Sequence, residues 1–208
     1  MTRPFPTWQN LLQEKQSGYK GYDIMIKTIA VDIGNVSVYI DTFAFPRALG
    51  LKDGFTPEMR ELQRRVEWGE ITDEEFFSEL LKLTPGWSDE QLRKVFDTIL
   101  LSPVPGMEAL LAKLSASGVQ VAFFSDISPA HLKGFRERFP SAVNYPGIYS
   151  FDVGAWKPSP KFFEAFEKRF GKPDIYVDDR LDLIQAAQQH GWNAQQFQNA
   201  EWLEGIVF

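Results

Sequence analysis

The segment Lys27-Thr-Ile-Ala-Val-Asp-Ile-Gly-Asn-Val36 joins a short apolar run to an acidic residue and, two positions on, a glycine. Ile29, Ala30 and Val31 read as a strand buried on both faces, the pattern of a parallel sheet. Asp32 would then stand at the carboxyl edge of that sheet, where open α/β sheets bind ligands. Gly34 allows a sharp turn without a side-chain clash. Taken alone, the pattern also fits a capping Asp and a turn glycine. The strands and helices farther along the chain decide between the two.

Strands and helices alternate again from Gly106 onward. Met107–Ala116 places Leu110, Leu111 and Leu114 on one helical face, and Gly118 fits its stop. Val119–Phe124 is a buried strand ending in Ser125-Asp126. Ser128-Pro129 opens a helix over 130–139. Gly147–Val153 contains a short strand, and Gly154–Pro158 is a loop carrying Lys157. Ser159-Pro160 opens the helix Lys161–Phe170. Asp174–Val177 is a strand ending in Asp178-Asp179, Leu181–His190 a helix, and Trp192–Phe197 the last strand. This alternation predicts an α/β fold with a Rossmann-like, doubly wound parallel sheet.

The sheet brings Asp32, Ser125, Asp126, Asp178 and Asp179 to one edge. Carboxylates gathered there repel one another and resist ionising unless a cation joins them. Mg²⁺ suits such oxygen ligands. Lys157 nearby can hold down the charge and grip a phosphate. Ser125, ahead of a helix, offers a hydroxyl and neighbouring N–H groups to an anion.

Between Thr42 and Leu101 the pattern is helical throughout. Thr56-Pro57-Glu58 starts one helix. Thr72-Asp-Glu-Glu75 and Ser88-Asp-Glu-Gln91 are capping boxes followed by apolar residues at helical spacing. A helical bundle of this kind, inserted after one strand of an α/β protein, is expected to lie as a lid over Asp32. The expected organisation is an N-terminal extension (1–24), an α/β core (25–41 and 102–208) and a helical cap (42–101).

With 208 residues and a formal net charge of −6, the chain fits one domain or a core with a small insert. Its mild acidity argues against nucleic acid as the main partner. The absence of cysteine excludes disulfides and thiolate chemistry. No window has the apolar length of a membrane span. Residues 1–24 lack the charge and apolar run of a signal peptide, so a cytoplasmic protein is expected, monomer or homodimer. Within them Trp8, Leu11 and Leu12 fall at helical spacing behind Thr7. Two readings stand for that segment: a short helix docked on the core, or read-through upstream of a natural start at Met25.

Val31-Asp-Ile-Gly-Asn-Val36, Phe123-Phe-Ser-Asp126, Lys157-Pro158 and Tyr176-Val-Asp-Asp179, in that order, resemble the four motifs of the haloacid dehalogenase superfamily, in its Mg²⁺-dependent phosphatase branch. The segment Glu67–Phe76 is similar to the cap of glucose-1-phosphatase-like and epoxide-hydrolase-phosphatase-like members. The resemblance covers residues 27–197. It implies that Asp32 is a nucleophile taking the phosphoryl group of a small phosphorylated metabolite such as a sugar phosphate. It implies Mg²⁺ held by Asp32, the Gly34 carbonyl and Asp179, with Asp178 assisting. It also implies phosphate binding by Ser125 and Asp126, and charge stabilisation by Lys157.

Three positions depart from the pattern. The commonest phosphatases of the superfamily carry a second Asp as general acid at the place of Gly34, although glucose-1-phosphatase-like members share the glycine. A site without that acid is expected to favour substrates with a good leaving group. Asp126 replaces a more usual Asn, and Leu183 a polar residue, for which Asp182 is a candidate substitute. Two other readings fit these residues: a dehalogenase, which uses an Asp nucleophile without metal, and a binding protein with a decayed site. His131, His190, Arg64, Arg65 and most phenylalanines read as core or surface residues.

Overall fold

A computed structural model of the chain describes residues 26–208. The readings of the N-terminal segment lie outside the described residues. In chain order, β1 is Thr28–Val31, β2 Val38–Ile40, α1 Ala44–Ala48, α2 Pro57–Glu67, α3 Asp73–Leu83 and α4 Asp89–Phe96. Then come β3 (Leu100–Pro103), α5 (Met107–Ala116), β4 (Gln120–Ser125), α6 (Pro129–Arg138), β5 (Gly147–Tyr149) and the single turn α7 (Ser150–Val153). The chain closes with α8 (Pro160–Phe170), β6 (Ile175–Asp178), α9 (Leu181–Gln189), β7 (Ala194–Gln196) and α10 (Ala200–Val207).

Five strands form one sheet in the order β5-β4-β1-β6-β7. Every pairing in it is parallel, with Ile29 of β1 opposite Val121 of β4 and Ile175 of β6. The chain runs outward from β1 through β4 to β5, then returns to β6 on the other side. The order therefore reverses beside β1, which is where such sheets open a crevice at their carboxyl edge.

Alternation along the strands explains the two layers. Ile29, Val31, Val121 and Phe123 face one side and pack with Met107, Leu110, Leu111 and Leu114 of α5 and Phe135 of α6. Ala30, Ala122, Phe124 and Tyr176 face the other and pack with Phe162, Phe163 and Phe166 of α8. Small alanines on β1 and β4 leave room for the phenylalanines of α8. Each such ring contributes about 1.5–3 kcal/mol by leaving water.

The helices α1–α4 have a core of their own around Phe45, Val66, Phe76, Phe77, Leu80 and Phe96. Thr56 accepts from Met59 N, and Thr72 and Ser88 form the two expected capping boxes. The helical pattern expected up to Leu101 stops short, because Leu100–Pro103 is a strand antiparallel to β2. That pairing closes the chain where it leaves the sheet layer and where it returns, so the helices are held on a two-stranded stem. A second element beyond the expected set is α10, whose cap is Asn199, accepting from Trp202 N. No described helix is long and apolar enough to cross a membrane.

Candidate active site

The carboxyl ends of β1, β4 and β6 bring the expected residues together. Asp32 follows β1 directly, and its amide donates to Val177 O of β6 at 3.0 Å. Its carbonyl accepts from the Ser37 hydroxyl at 3.0 Å, which folds the turn back under the strand. Ser125 is the last residue of β4 and is buried. Asp178 ends β6 and is wholly buried. Oxygens of Asp32, Asp178 and Asp179 all lie within 4.8 Å of one another.

Lys157 stands between two of these carboxylates. Its Nζ donates to Asp32 Oδ1 at 2.9 Å and to Asp178 Oδ2 at 2.7 Å. The carbonyl of Phe124 lies 3.2 Å from the same ammonium and the Tyr176 hydroxyl 3.3 Å. Burial opposes the charge on Lys157, but Asp32 and its other anionic neighbours overcome this and keep it protonated. Burial also pushes the Asp32 carboxyl up to about 7, against the pull of Lys157. For Asp178 burial is outweighed by the ammonium, and the carboxyl is held below its ordinary value. The two acids that share the ammonium are thus shifted in opposite directions.

Asp178 is fully engaged. Beyond Lys157, its Oδ2 accepts from the Tyr176 hydroxyl, and its Oδ1 accepts from Arg180 N at 2.9 Å. Asp179 is half-buried, and burial raises its pKa. It accepts from the Asn35 side-chain amide at 3.0 Å. Asn35 adopts a left-handed φ of 52°, and its side-chain oxygen accepts from Ile40 N at 3.2 Å. The turn after β1 is thereby tied both to β2 and to the acidic pair.

A divalent cation fits this donor set. Three oxygen-bearing acids converge, and among the described residues the one ammonium beside them is spent on Asp32 and Asp178. Asp179 takes its hydrogen bond from a neutral amide, and the ammonium acts on it only at longer range.

The Asp126 side chain is engaged within the protein. Its Oδ1 accepts from the Lys157 backbone N–H at 3.0 Å, so its carboxylate anchors the loop that carries the lysine. Nor does it cap the following helix; Ser128 does, accepting from His131 N at 3.2 Å. Asp182 pairs with Arg180 on the surface, and Leu183 is a core residue. Arg64 is held by Glu61 and Glu70. His131 is buried, stacks on Phe96 at 3.9 Å and meets the Phe96 carbonyl through Nε2 at 3.1 Å. It joins α4 to α6, as a core residue should. His190 stacks on Phe163 at 4.7 Å.

A cavity of about 350 Å³ lies between the helical insert and the sheet edge, lined beside Asp32 by Ile33 and Gly34. Gly34, Ser125 and Asp126 form part of its floor; Gln63 and Glu67 of α2 form part of its roof. Sequence reasoning missed the roles of Asn35, Tyr176 and Glu67. Only the two-residue spacing of Tyr176 and Asp178, which puts both on one face of a strand, hints at their contact.

The family model for haloacid dehalogenase-like hydrolases matches residues 26–191. The chain belongs to this family. Among solved structures, a haloacid dehalogenase family enzyme from Bacteroides thetaiotaomicron superposes with a TM-score of 0.78 at 19% identity, covering 88% of this chain and 98% of that one. The same protein in complex with magnesium and inorganic phosphate gives a TM-score of 0.72 at 22% identity, covering 84% and 95%. A predicted haloacid dehalogenase-like hydrolase from Porphyromonas gingivalis gives 0.72 at 20% identity, covering 88% and 97%. No curated protein sequence matches. At these identities the structural likeness establishes the haloacid dehalogenase-like fold, and the chemistry rests on the residues of this chain.

Proposed function

We propose that this chain is a Mg²⁺-dependent phosphatase acting on a small phosphorylated metabolite, with a sugar phosphate as the leading substrate class. The reading places it beside glucose-1-phosphatase-like members of the family, with α1–α4 as the cap. It carries with it a cytoplasmic monomer or homodimer with no role for nucleic acid or membrane. The observation that carries it is the convergence of Asp32, Asp178 and Asp179 within 4.8 Å, with Lys157 between two of them. The magnesium and phosphate complex of the Bacteroides relative supports it.

Asp32 attacks phosphorus, and the bond to the leaving oxygen breaks, leaving the phosphoryl group on the Asp32 carboxylate. Ser125 and the main chain at Asp126 hold the phosphoryl oxygens, while Lys157 faces the charge that builds on them. Asp178 and Tyr176 keep the ammonium in place. Water then releases phosphate and restores Asp32. Asp32, the Gly34 carbonyl and Asp179 would hold Mg²⁺, whose charge lets an anionic substrate meet an anionic nucleophile.

The test is hydrolysis of p-nitrophenyl phosphate with and without Mg²⁺. The wild-type protein is expected to turn over only with the metal, and Asp32→Asn to be silent. Undiminished activity in Asp32→Asn would exclude the covalent route. A dehalogenase needs no metal, and the acidic pair at 178–179 argues against it. Chloride release from a 2-chloro acid in EDTA would favour that reading instead.

A further inference from the structure

One carboxyl group in the cavity has no part in the transfer to Asp32. Glu67 is the last residue of α2, and it shares the cavity with Gly34, Ser125 and Asp126. Gln63, one turn earlier, donates to Glu67 Oε1 at 2.8 Å. The chain just beyond Glu67 is pinned to the sheet layer. Trp68 meets the edge of Trp156 at 5.6 Å, and Trp156 precedes Lys157. Gly69 has a φ of 68° and lies so close to the Phe151 carbonyl that a Cβ would come within 2.2 Å of it. The cap thus delivers Glu67 next to a contact with the loop that carries the lysine.

The leaving oxygen of an alkyl phosphate departs as a strongly basic alkoxide unless a proton meets it, and a placed acid is worth roughly 10²–10⁴-fold in rate. Among the described residues, the floor of the cavity offers no such acid. Gly34 has no side chain, and a Cβ there would meet Ile40 Cδ1 at 2.9 Å. Asp126 has its Oδ1 on the Lys157 amide, where it anchors the loop. His131 has its Nε2 on the Phe96 carbonyl, and burial lowers its pKa to about 4. Asp53 is exposed at the rim. Glu67 remains. Burial raises its pKa to about 7, against the Gln63 hydrogen bond and with help from the charge of Asp126. An acid that titrates near the working pH can both give and regain a proton.

Resting on the phosphatase reading, we infer that Glu67 is a catalytic acid and base supplied by the cap. As the Asp32 oxygen bonds to phosphorus and the ester P–O bond breaks, the Glu67 carboxyl proton passes to the leaving oxygen, giving the free alcohol. The Glu67 carboxylate then takes a proton from water as its oxygen attacks phosphorus. The bond to Asp32 breaks, inorganic phosphate leaves, and both acids return to their starting states. On this account Gly34 does not confine the enzyme to good leaving groups.

The experiment compares wild type, Glu67→Gln and Glu67→Asp, as full chains with Mg²⁺, on p-nitrophenyl phosphate and on a primary alkyl phosphate. For Glu67→Gln, kcat on the alkyl ester should fall about 10²–10⁴-fold, and on the aryl ester less than about tenfold, because nitrophenolate needs little protonation. Glu67→Asp should recover part of the alkyl activity. Equal losses on both esters, or no loss on the alkyl ester, would overturn the assignment. Should Glu67→Gln fail to fold, a leaving-group series on the wild type decides. A shallow dependence of kcat/KM on leaving-group basicity supports the acid, and a steep one refutes it. No turnover of either ester by wild type with Mg²⁺ removes the phosphatase reading itself, and this inference with it.

Discussion

Replacing Lys157 by Met tests the electrostatic design of the site, because among the described residues the lysine is the one cation placed between Asp32 and Asp178. Its side chain is 3% exposed, and the Asp178 side chain is 0% exposed. Met fills most of the volume, so the loss is chiefly one of charge and hydrogen bonds. Removing one partner of a buried ion pair costs about 3–5 kcal/mol, since the other charge stays behind unpaired. Here two carboxylates are left, and one of them must take up a proton, which keeps the cost within that range. For a chain of this size each kcal/mol moves Tm by about 2–4 °C, so a fall of about 6–20 °C is expected. Thermal and urea unfolding at pH 7 in EDTA measure it. Lys157→Met combined with Asp178→Asn should recover part of the loss, because the pair is coupled. Adding Mg²⁺ should stabilise Lys157→Met, by about 2.7 kcal/mol when the ion is at a hundred times its Kd. Unfolding within about 1 kcal/mol of wild type would refute the reasoning.

His131 has a folded pKa of about 4, below its ordinary 6.5, because burial opposes the charged ring. The unfolded chain therefore binds this proton first, so the contribution is full above pH 6.5 and is lost as pH falls towards 4, by about 3 kcal/mol. Urea titrations of wild type and His131→Phe across that window should diverge by this amount; parallel curves would contradict it. Gly69→Ala meets both a left-handed φ and the Phe151 carbonyl, and should destabilise by more than about 1 kcal/mol in urea unfolding. Thr72→Ala removes one half of a capping box and should cost about 0.5–2 kcal/mol, read from the urea midpoint.

Much of the fold was legible because its signals are local. β1, β4 and β6 are buried on both faces and read as apolar runs, and their polar ends mark the sheet edge. Thr72 and Ser88 announce their helices through side chains three residues apart. What escaped is non-local or weakly marked. Leu100–Pro103 continues an apolar pattern after Phe96, and only its pairing with β2, about sixty residues earlier, makes it a strand. The helix Ala200–Val207 carries a good cap in Asn199, but it lies beyond the last motif. In the site, Asp32, Ser125, Lys157, Asp178 and Asp179 stand out at strand ends and in the loop before Pro158. The turn of Asp126 towards the Lys157 amide joins residues 31 apart and leaves no mark in the spacing. Glu67 falls on a helix whose inward face could be read, but not what that face looks onto.

The central claim is that Asp32 carries the phosphoryl group during turnover. The most direct measurement is acid quenching of the enzyme with Mg²⁺ and p-nitrophenyl phosphate in the steady state, followed by peptide mass spectrometry. A phosphoryl group is expected on the peptide containing Asp32, absent from Asp32→Asn. Phosphate release by the wild type with that peptide never modified, or undiminished turnover by Asp32→Asn, would contradict it.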